Sequence, residues 1–569
     1  MNGATRILLV ASLAAPALAL AQVAPSLEFQ RREIQPRLAP RAEPQTAAPS
    51  PEARPAPAAE AAQSFQLTAV ALEGATALSE ADLADIWTPL IGSQATVATL
   101  EEIAAAISAR YRAQGFVLSQ AAVPAQTIEN GVVRIQVIEG FIDTVSVEGG
   151  AESGQATARR LLAPVATDRP LRLETLERGV LLTRDALGPD VETVLKPSPS
   201  TFGAADLTAV LGEKQIDGFL ALDNKASRLY GAWIATGGVT AYDLAGFGER
   251  IDVLAAVAPN NDYLAFGQGK ISVPAPFLDG GALDGARFEL GGDFSRGEPD
   301  LDKSGVPGFT AVSEETNVNV GMVVPFIRTR AENLSGSLGL GWRESTSSTR
   351  FGGAAVDSGR DELVIGEARL TWDRADRFGG VSLIDLGVRQ GISAIGATVA
   401  GSGPAAGEVD FTLGQLTLIR LQRLGDSPWS IYAEATGQMA ATVLPDSERF
   451  ALGGEGLGRG FAPGNTTGDS GYGGRLEVRM DVAGSETDGL VSALQIYGFG
   501  DWGQAYDRSD ARDGEQWDTL GSIGGGVRID VTPWLTVTPE VAFQVAGAPA
   551  DRINQDRETR FFISAVGRF

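Results

Sequence analysis

The sequence contains no cysteine and no histidine. Without cysteine there is no disulfide framework, no thiol nucleophile and no cysteine-ligated zinc site. Without histidine, Ser-His-Asp catalysis and histidine-ligated metal sites are closed too. An enzyme built from this chain would depend on carboxylate, lysine or serine chemistry. Beyond the first residues, no stretch reaches the ~18 uninterrupted apolar residues of a spanning helix. Positive charge is also short. Lys and Arg number 46 against 71 Asp and Glu, a net charge of −25. A general nucleic-acid binder carries a basic footprint, so no nucleic-acid partner is expected.

Glycine is in excess: 70 residues, about 12% against a usual ~7%. At 569 residues the chain is too long for one ordinary domain. Its hydropathy is close to neutral, which fits neither a disordered chain nor a helical membrane protein. Residues 1–21 read as a secretory signal peptide. Arg6 precedes an apolar run from Ile7, and Ala19-Leu20-Ala21 forms a small-x-small cleavage site before Gln22. Residues 22–63 hold eight of the 29 prolines. Such a segment buries too little apolar surface to fold alone and reads as a stiff tether. Within it, Leu27 to Arg32 could form a short helix before Pro36.

From Phe65 the pattern is globular. FQLTAVALEG alternates as a strand, SEADLADIWTPL follows with Ser79 as N-cap, and Thr99-Leu100-Glu101-Glu102 reads as a capping box. The helix it opens ends at Gly115, and two strands follow in FVLSQAAVP and GVVRIQVIEG. Residues 141–214 repeat the order strand, helix, helix, strand, strand. Superposing Gly115 on Gly188 aligns Leu100 with Leu173, Ile103 with Leu176 and Ile107 with Val180. Two small β-α-α-β-β modules, 64–140 and 141–214, are therefore expected.

After Ile216 the texture changes to period-2 segments separated by Gly, Asp, Asn and Ser. In 334–343, Leu334, Leu338, Leu340 and Trp342 share one face while Ser335, Ser337 and Arg343 share the other. In 363–372, Val364, Ala368, Leu370 and Trp372 oppose Glu367, Arg369 and Thr371. A soluble sandwich also alternates. Here the strands are long, one face is apolar, the other charged, and the array runs to the end of an exported chain. A membrane barrel needs strands of ~9–11 residues, apolar outside and polar inside, with no free edge. Residues 215–569 accommodate about 16 of them. The fold class expected is mostly β: a transmembrane antiparallel barrel behind two small α+β modules. The final strand, TRFFISAVGRF, sets Phe561, Ile563, Ala565 and Phe569 on one face, against Arg560, Ser564 and Arg568.

Several patterns have plain explanations. The glycines of 453–460 and 524–526 do not lead from a strand into a helix, so no phosphate cradle is expected. Asp507, Asp510, Asp513 and Asp518 lack calcium-loop spacing and read as a solvated loop. No metal or cofactor is expected. Asn333-Leu334-Ser335 is a glycosylation sequon in spelling only, on a membrane strand. Two segments stand out. LGGEGLGRGFAPGNTTGDSGYGG, 452–474, is a long Gly-rich loop with one Arg, Arg459, and Phe461 beside it. ALQIYGFGDWG, 493–503, is a strand whose Leu494, Ile496 and Trp502 meet lipid while Gln495, Tyr497, Phe499 and Asp501 face inward. A carboxylate out of bulk water asks for a partner, and Arg459 is the candidate.

On these residues the chain resembles the outer-membrane transporters of two-partner secretion, the haemolysin and haemagglutinin secretion proteins. The resemblance covers essentially the whole mature chain. Gly458-Arg459-Gly460-Phe461 is similar to the family's Val-Arg-Gly-Tyr/Phe tip of an inward-folded loop, Gly468-Asp469-x-Gly471 to the segment leaving it, and Phe499-x-Asp501 to the Phe-x-Asp motif of the wall. Residues 111–140 resemble part of a POTRA domain, and Asp223-Asn224 fits the start of the barrel. Gly458 departs from the usual Val, which removes an apolar contact and adds flexibility at the tip.

The resemblance implies a non-enzymatic translocator in the outer membrane of a Gram-negative bacterium, with POTRA-like modules in the periplasm. The modules would bind a large, unfolded secreted exoprotein through open strand edges, and the barrel would conduct it to the cell surface. Arg459, Gly460, Phe461, Phe499 and Asp501 would lock the loop and serve conduction. Phe561 and Phe569 would form the C-terminal signal for insertion by the barrel assembly machinery. A helix near 27–35 would plug the pore, and a monomer in outer-membrane lipid is expected. An assembly factor that inserts other barrels is the alternative; a passive porin lacks periplasmic modules.

Overall fold

The computed structural model describes residues 38–43, 64–212, 214–259, 264–278, 283–304, 307–351, 353–393, 396–399, 407–482, 492–508, 517–547 and 558–569. The expected signal peptide, the plug helix at 27–35 and most of the linker lie outside them.

The first module contains β1 (Phe65–Gln66), β2 (Ala69–Glu73), α1 (Glu80–Leu83), β3 (Gln94–Ala95), α2 (Val97–Ala113), β4 (Gln120–Ala122) and β5 (Val132–Ile138). β5 lies between β2, its parallel neighbour, and β4, its antiparallel one. Its alternation buries Val133, Ile135 and Val137 in the core to which α2 contributes Leu100, Ile103, Ile107 and Tyr111. Ser79 caps α1, its N–H donating to the Asp82 carboxylate. That helix is short: 3-10 turns at 84–86 and 88–90 replace its continuation, the second holding Pro89, which has no N–H to give. The capping expectation at Thr99 needs correction. α2 begins at Val97 and its N-cap is Thr96, whose hydroxyl accepts from the Thr99 N–H. The preceding threonine takes the cap because Thr99 already lies in the first helical turn.

The second module contains β6 (Phe141–Gly149), α3 (Glu152–Thr167), α4 (Leu173–Leu187), β7 (Val191–Pro197) and β8 (Ala204–Leu211). β8 is central, parallel to β6 and antiparallel to β7. Val180, the counterpart of Ile107, is buried in the second core.

Among the described residues, the chain beyond forms a closed barrel of sixteen antiparallel strands. They begin with β9 (Ile216–Asp223), β10 (Ile234–Tyr242), β11 (Arg250–Val257), β12 (Leu264–Pro274) and β13 (Arg287–Gly297). The longest follow: β14 (Phe309–Arg328), β15 (Glu332–Phe351) and β16 (Ala354–Ala375). Next come β17 (Gly380–Gly391), β18 (Thr412–Arg423) and β19 (Trp429–Ala440). A small hairpin, β20 (Phe450–Leu452) and β21 (Thr466–Gly468), interrupts the wall. β22 (Ser470–Val482), β23 (Ala493–Tyr506), β24 (Trp517–Thr532), β25 (Leu535–Ala546) and β26 (Thr559–Arg568) complete it.

Strand parity sorts the side chains. Leu338, Leu340, Leu370, Ile496 and Trp502 are exposed on the outside. Arg343, Asp385, Glu477, Asp501 and Glu540 are buried on the lumen side. Tyr472, Trp502 and Trp517 cluster at the long-loop end of the outer face, while Trp429 and Trp534 are exposed at the short-turn end. Two aromatic rims around an apolar band suit a bilayer.

The barrel closes where β26 meets β9, over Phe219–Asp223 only. Two side devices lengthen this seam. Phe569 and Gly218 exchange both main-chain hydrogen bonds, at 3.0 and 3.1 Å. The Asn224 amide donates to the Phe561 carbonyl and accepts from the Ile563 N–H, standing in for one more backbone pair. Phe561 and Phe569 themselves point outward, at 73% and 62% exposure, which places both rings on the lipid side. At the mouth of the short-turn end, α4 docks on the barrel. Asp185 takes a bidentate pair from Arg328 at 2.8 and 2.9 Å, and Arg178 donates to the Asp284 and Phe326 carbonyls.

Glu139 ties the first module together at the end of β5. It accepts from the Thr76 and Ala77 N–H groups, each at 2.7 Å, and from the hydroxyls of Thr76 and Tyr111. Burial alone would raise its pKa, but these donors outweigh it and hold the carboxyl below the ordinary Glu range. A depressed carboxylate contributes stability above its unfolded pKa and loses it as pH falls through the folded value. In the 64–214 fragment, where Trp87 is the one tryptophan and is buried, Glu139→Gln should cost about 1 kcal/mol at pH 7. Trp87 fluorescence melts should show that difference shrinking as pH drops below ~4.

Candidate functional site in the barrel lumen

The chain leaving β19 does not stay outside. Residues 441–469 turn back into the lumen, and the β20–β21 hairpin forms the stem of this loop. The stem is packed by apolar contact. Phe450, Leu452, Leu457 and Phe461 bury against Ala505 and Leu520 of the wall. The exit is pinned by Asp469, fully buried, whose carboxylate accepts from the Leu444 and Arg508 N–H groups, both at 2.7 Å.

The tip is a tight turn. The Phe461 N–H donates to the Gly458 carbonyl at 2.8 Å, and Gly458 sits at φ +95°, a conformation L side chains rarely adopt. Where the sequence alone suggests added flexibility, the structure gives Gly458 a defined task. Its left-handed backbone turns two successive N–H groups toward one carboxylate. Asp501 receives them, Gly458 N–H at 2.9 Å and Arg459 N–H at 3.4 Å, together with the Ser522 hydroxyl.

The expectation that the Arg459 side chain pairs with Asp501 is therefore corrected. Asp501 holds the loop by its backbone. The guanidinium runs past it, its Cζ 4.0 Å from the centre of the Phe499 ring. It ends between Glu540 of β25 at 2.8 Å and Glu477 of β22 at 3.1 Å. The physical reason is reach: Asp501 is saturated by donors at the turn itself, and the extended Arg side chain satisfies carboxylates farther along the wall. Glu540 also accepts from the Tyr497 hydroxyl at 2.7 Å. Glu477 receives Arg479 and Arg528 at 2.7 Å each. Three guanidiniums, Arg459, Arg479 and Arg528, thus meet two carboxylates, Glu477 and Glu540, and the Asp501 carboxylate on the neighbouring backbone brings the local count to three of each sign. A cluster of balanced charge is what a partly dry lumen tolerates.

The remaining expected residues join the same locus. Gly460 offers its carbonyl to Gln544 at 2.8 Å, and a Cβ on it would lie 3.1 Å from that of Ser522. Phe461 is buried, and its carbonyl accepts from Arg560 of β26. Sequence reasoning placed Tyr497 on the inward face without giving it a role, and it missed Glu477, Glu540, Ser522 and Gln544. The two glutamates did carry a signal: each sits at an inward position of an alternating strand, in LEVRMDV and LTVTPEVAF.

Two family models match the chain. One, a POTRA domain of ShlB type, covers residues 65–140. The other, haemolysin secretion/activation protein ShlB/FhaC/HecB, covers 304–529 and so includes Arg459, Phe499 and Asp501. The first module and much of the barrel are thus similar to the haemolysin secretion/activation proteins. Among the chain's relatives is a heme/hemopexin transporter protein, HuxB, of Haemophilus influenzae, 24% identical over 224 residues. That match covers 37% of this chain and only 38% of HuxB. The outer membrane transporter CdiB of Escherichia coli O6:K15:H31 is 23% identical over 188 residues, 33% of this chain and 31% of CdiB. In fold, CdiB from Escherichia coli superposes with a TM-score of 0.69 at 17% identity, over 100% of this chain and 99% of that one. BamA from Haemophilus ducreyi lacking POTRA domains 1-3 gives 0.53 at 13% identity, over 89% of this chain and all of that one. With a POTRA domain of ShlB type ahead of a barrel matched by the ShlB/FhaC/HecB model, the barrel lies in the outer membrane and the POTRA-like modules in the periplasm.

A double-mutant cycle in the folded barrel tests the corrected pairing. Arg459→Met and Glu540→Gln should each cost about 3–5 kcal/mol in urea unfolding, since each strands a buried charge. The double variant should cost clearly less than their sum, a coupling of at least ~1 kcal/mol. Additive losses would mean that the pair makes no contribution.

Proposed function

We propose that the chain is a two-partner-secretion translocator. It captures an unfolded exoprotein in the periplasm and conducts it through the barrel lumen to the cell surface. The observation that carries this reading is a backbone segment already held by the barrel at the mouth of the lumen. Residues 38–43 run past the inner wall at the periplasmic mouth, where Ala42 is buried. The Arg41 and Ala42 N–H groups donate to the Asp373 carboxylate at 3.2 and 2.5 Å, and the Glu43 N–H donates to the Arg330 carbonyl at 2.7 Å. The lumen thus offers acceptors to the backbone of an extended peptide, independent of side-chain identity. That is the chemistry a conduit for unfolded chain requires. Residues 27–35, just before this segment, are the plug in this reading.

Capture falls to the edge strands of the modules. β2 and β4 flank the first sheet, β6 and β7 the second, and each presents backbone groups for an added strand. Folding of the exoprotein outside supplies the driving force, and the chain acts without catalysis. The transporter names of the HuxB and CdiB relatives support a secreted cargo. An assembly factor shares the inward loop and the BamA-like barrel fold. The ShlB-type first module and the family of the barrel favour secretion over assembly. The chain acts as a monomer, inserted by the barrel assembly machinery with Phe561 and Phe569 as its C-terminal signal.

With the exoprotein partner co-expressed, Arg459→Ala and Asp501→Ala should each abolish export while the barrel still inserts. Folded-band migration in unheated gels reports insertion, and partner in the medium reports export. Normal export by both variants would count against the lumen loop having any part in conduction.

A further inference from the structure

Besides Arg459 and Asp469, the loop carries a further buried charge that neither the residue pattern nor the family motif singles out. Glu448 ends a one-turn helix, Asp446–Glu448, in the half of the loop that precedes the β20–β21 stem, and it is 1% exposed. Its carboxylate meets two guanidiniums of the wall: Arg343 of β15 at 2.7 Å, and Arg389 of β17. Arg343 also donates to the Ser447 carbonyl at 3.2 Å, and Gln438 of β19 donates to the Glu448 carbonyl at 2.8 Å. On the wall, Arg343 is steadied by Asn317 and Glu315 of β14, and Arg389 by Glu367 of β16.

The arrangement inverts the one at the tip. There, a loop cation sits on wall carboxylates of β22 and β25. Here, a loop carboxylate sits on wall cations of β15 and β17. The loop is joined to the wall between β19 and β22, so it reaches back with Glu448 and forward with Arg459. We propose that Glu448 is a positioning residue, a second clasp that holds the rear half of the loop across the lumen. The opposite signs also set direction. Shifting the loop so that either end met the other's wall site would bring like charges together, which is strongly unfavourable in a confined site. Two contacts of one sign would not distinguish the two seatings.

The clasp deepens the translocator reading, since it names a second contact that must release if the loop moves. Its test does not depend on export. The chain has no cysteine, and Ser447, beside Glu448 in the loop, is 6% exposed. Ser447→Cys therefore gives a single, near-isosteric reporter, shielded while the loop is seated, in the full-length protein. Its maleimide-labelling rate in detergent-solubilised barrel measures how often the loop opens. Glu448→Gln should raise the rate on the order of tenfold, as loss of one buried partner frees a local unit. Glu448→Asp, which keeps the charge, should recover most of the protection. Arg389→Gln, leaving Arg343 in place, should raise the rate by less. A Glu448→Gln rate equal to the parent's would overturn the clasp. Should Glu448→Gln fail to fold, Arg389→Gln decides: an unchanged rate there overturns the proposal and a raised one supports it. Export of the Arg459→Ala and Asp501→Ala variants bears separately on the translocator reading.

Discussion

The structure of this site depends on one guanidinium. Arg459 stands out of bulk water, where an uncompensated charge would cost several kcal/mol. It is held by two carboxylates on two wall strands and by the face of Phe499. That requirement fixes much else. The tip must turn tightly enough to deliver the side chain, so Gly458 takes a left-handed conformation and Asp501 collects the two N–H groups that it turns outward. Strands β22 to β25 must present their polar parity inward at one depth. The hydroxyl of Tyr497 and the cations of Arg479 and Arg528 then complete the balance around Glu540 and Glu477.

The same logic of charge against wall extends to the two ends of the barrel. At the periplasmic mouth, α4 is fastened by a bidentate Asp185–Arg328 pair, and the segment 38–43 borrows Asp373 as a backbone acceptor. At the seam, five residues of β9 face β26, and the terminal Phe569 and the Asn224 amide supply the bonds that the short ladder lacks. The barrel is closed, yet its interior is furnished with groups that hold polypeptide: the inward loop from one side and the tether from the other.

Much of this was legible in the chain. Strand parity holds over the stretches between bulges, so Leu338 and Arg343, or Trp502 and Asp501, could be assigned to outside and inside from alternation alone, and the structure agrees. The two modules were legible because helix faces repeat: Ile107 and Val180 are both buried where the alignment placed them. The partner of Arg459 was not. Parity says that Glu477 and Glu540 face inward, but their depth depends on the stagger between strands, which no local pattern encodes. The helix start at Thr96 rather than Thr99 was missed for a smaller reason: two threonines three residues apart can each look like a cap, and only the backbone geometry decides. Glu448 went unremarked because a carboxylate in a long loop ordinarily faces water.

The most direct measurement of the account places a photo-crosslinking residue at single positions while an exoprotein is arrested in transit. Gln268 and Thr417 occupy inward positions, Thr417 hydrogen-bonded to Thr436 across β18 and β19. Leu338 and Leu418 lie on the outer face, at 63% and 40% exposure. Conduction through the lumen predicts cross-links to the arrested chain from Gln268 and Thr417 and none from Leu338 or Leu418. Cross-links confined to the outer positions would contradict it and mark the protein as one that handles its clients at the barrel's lipid face.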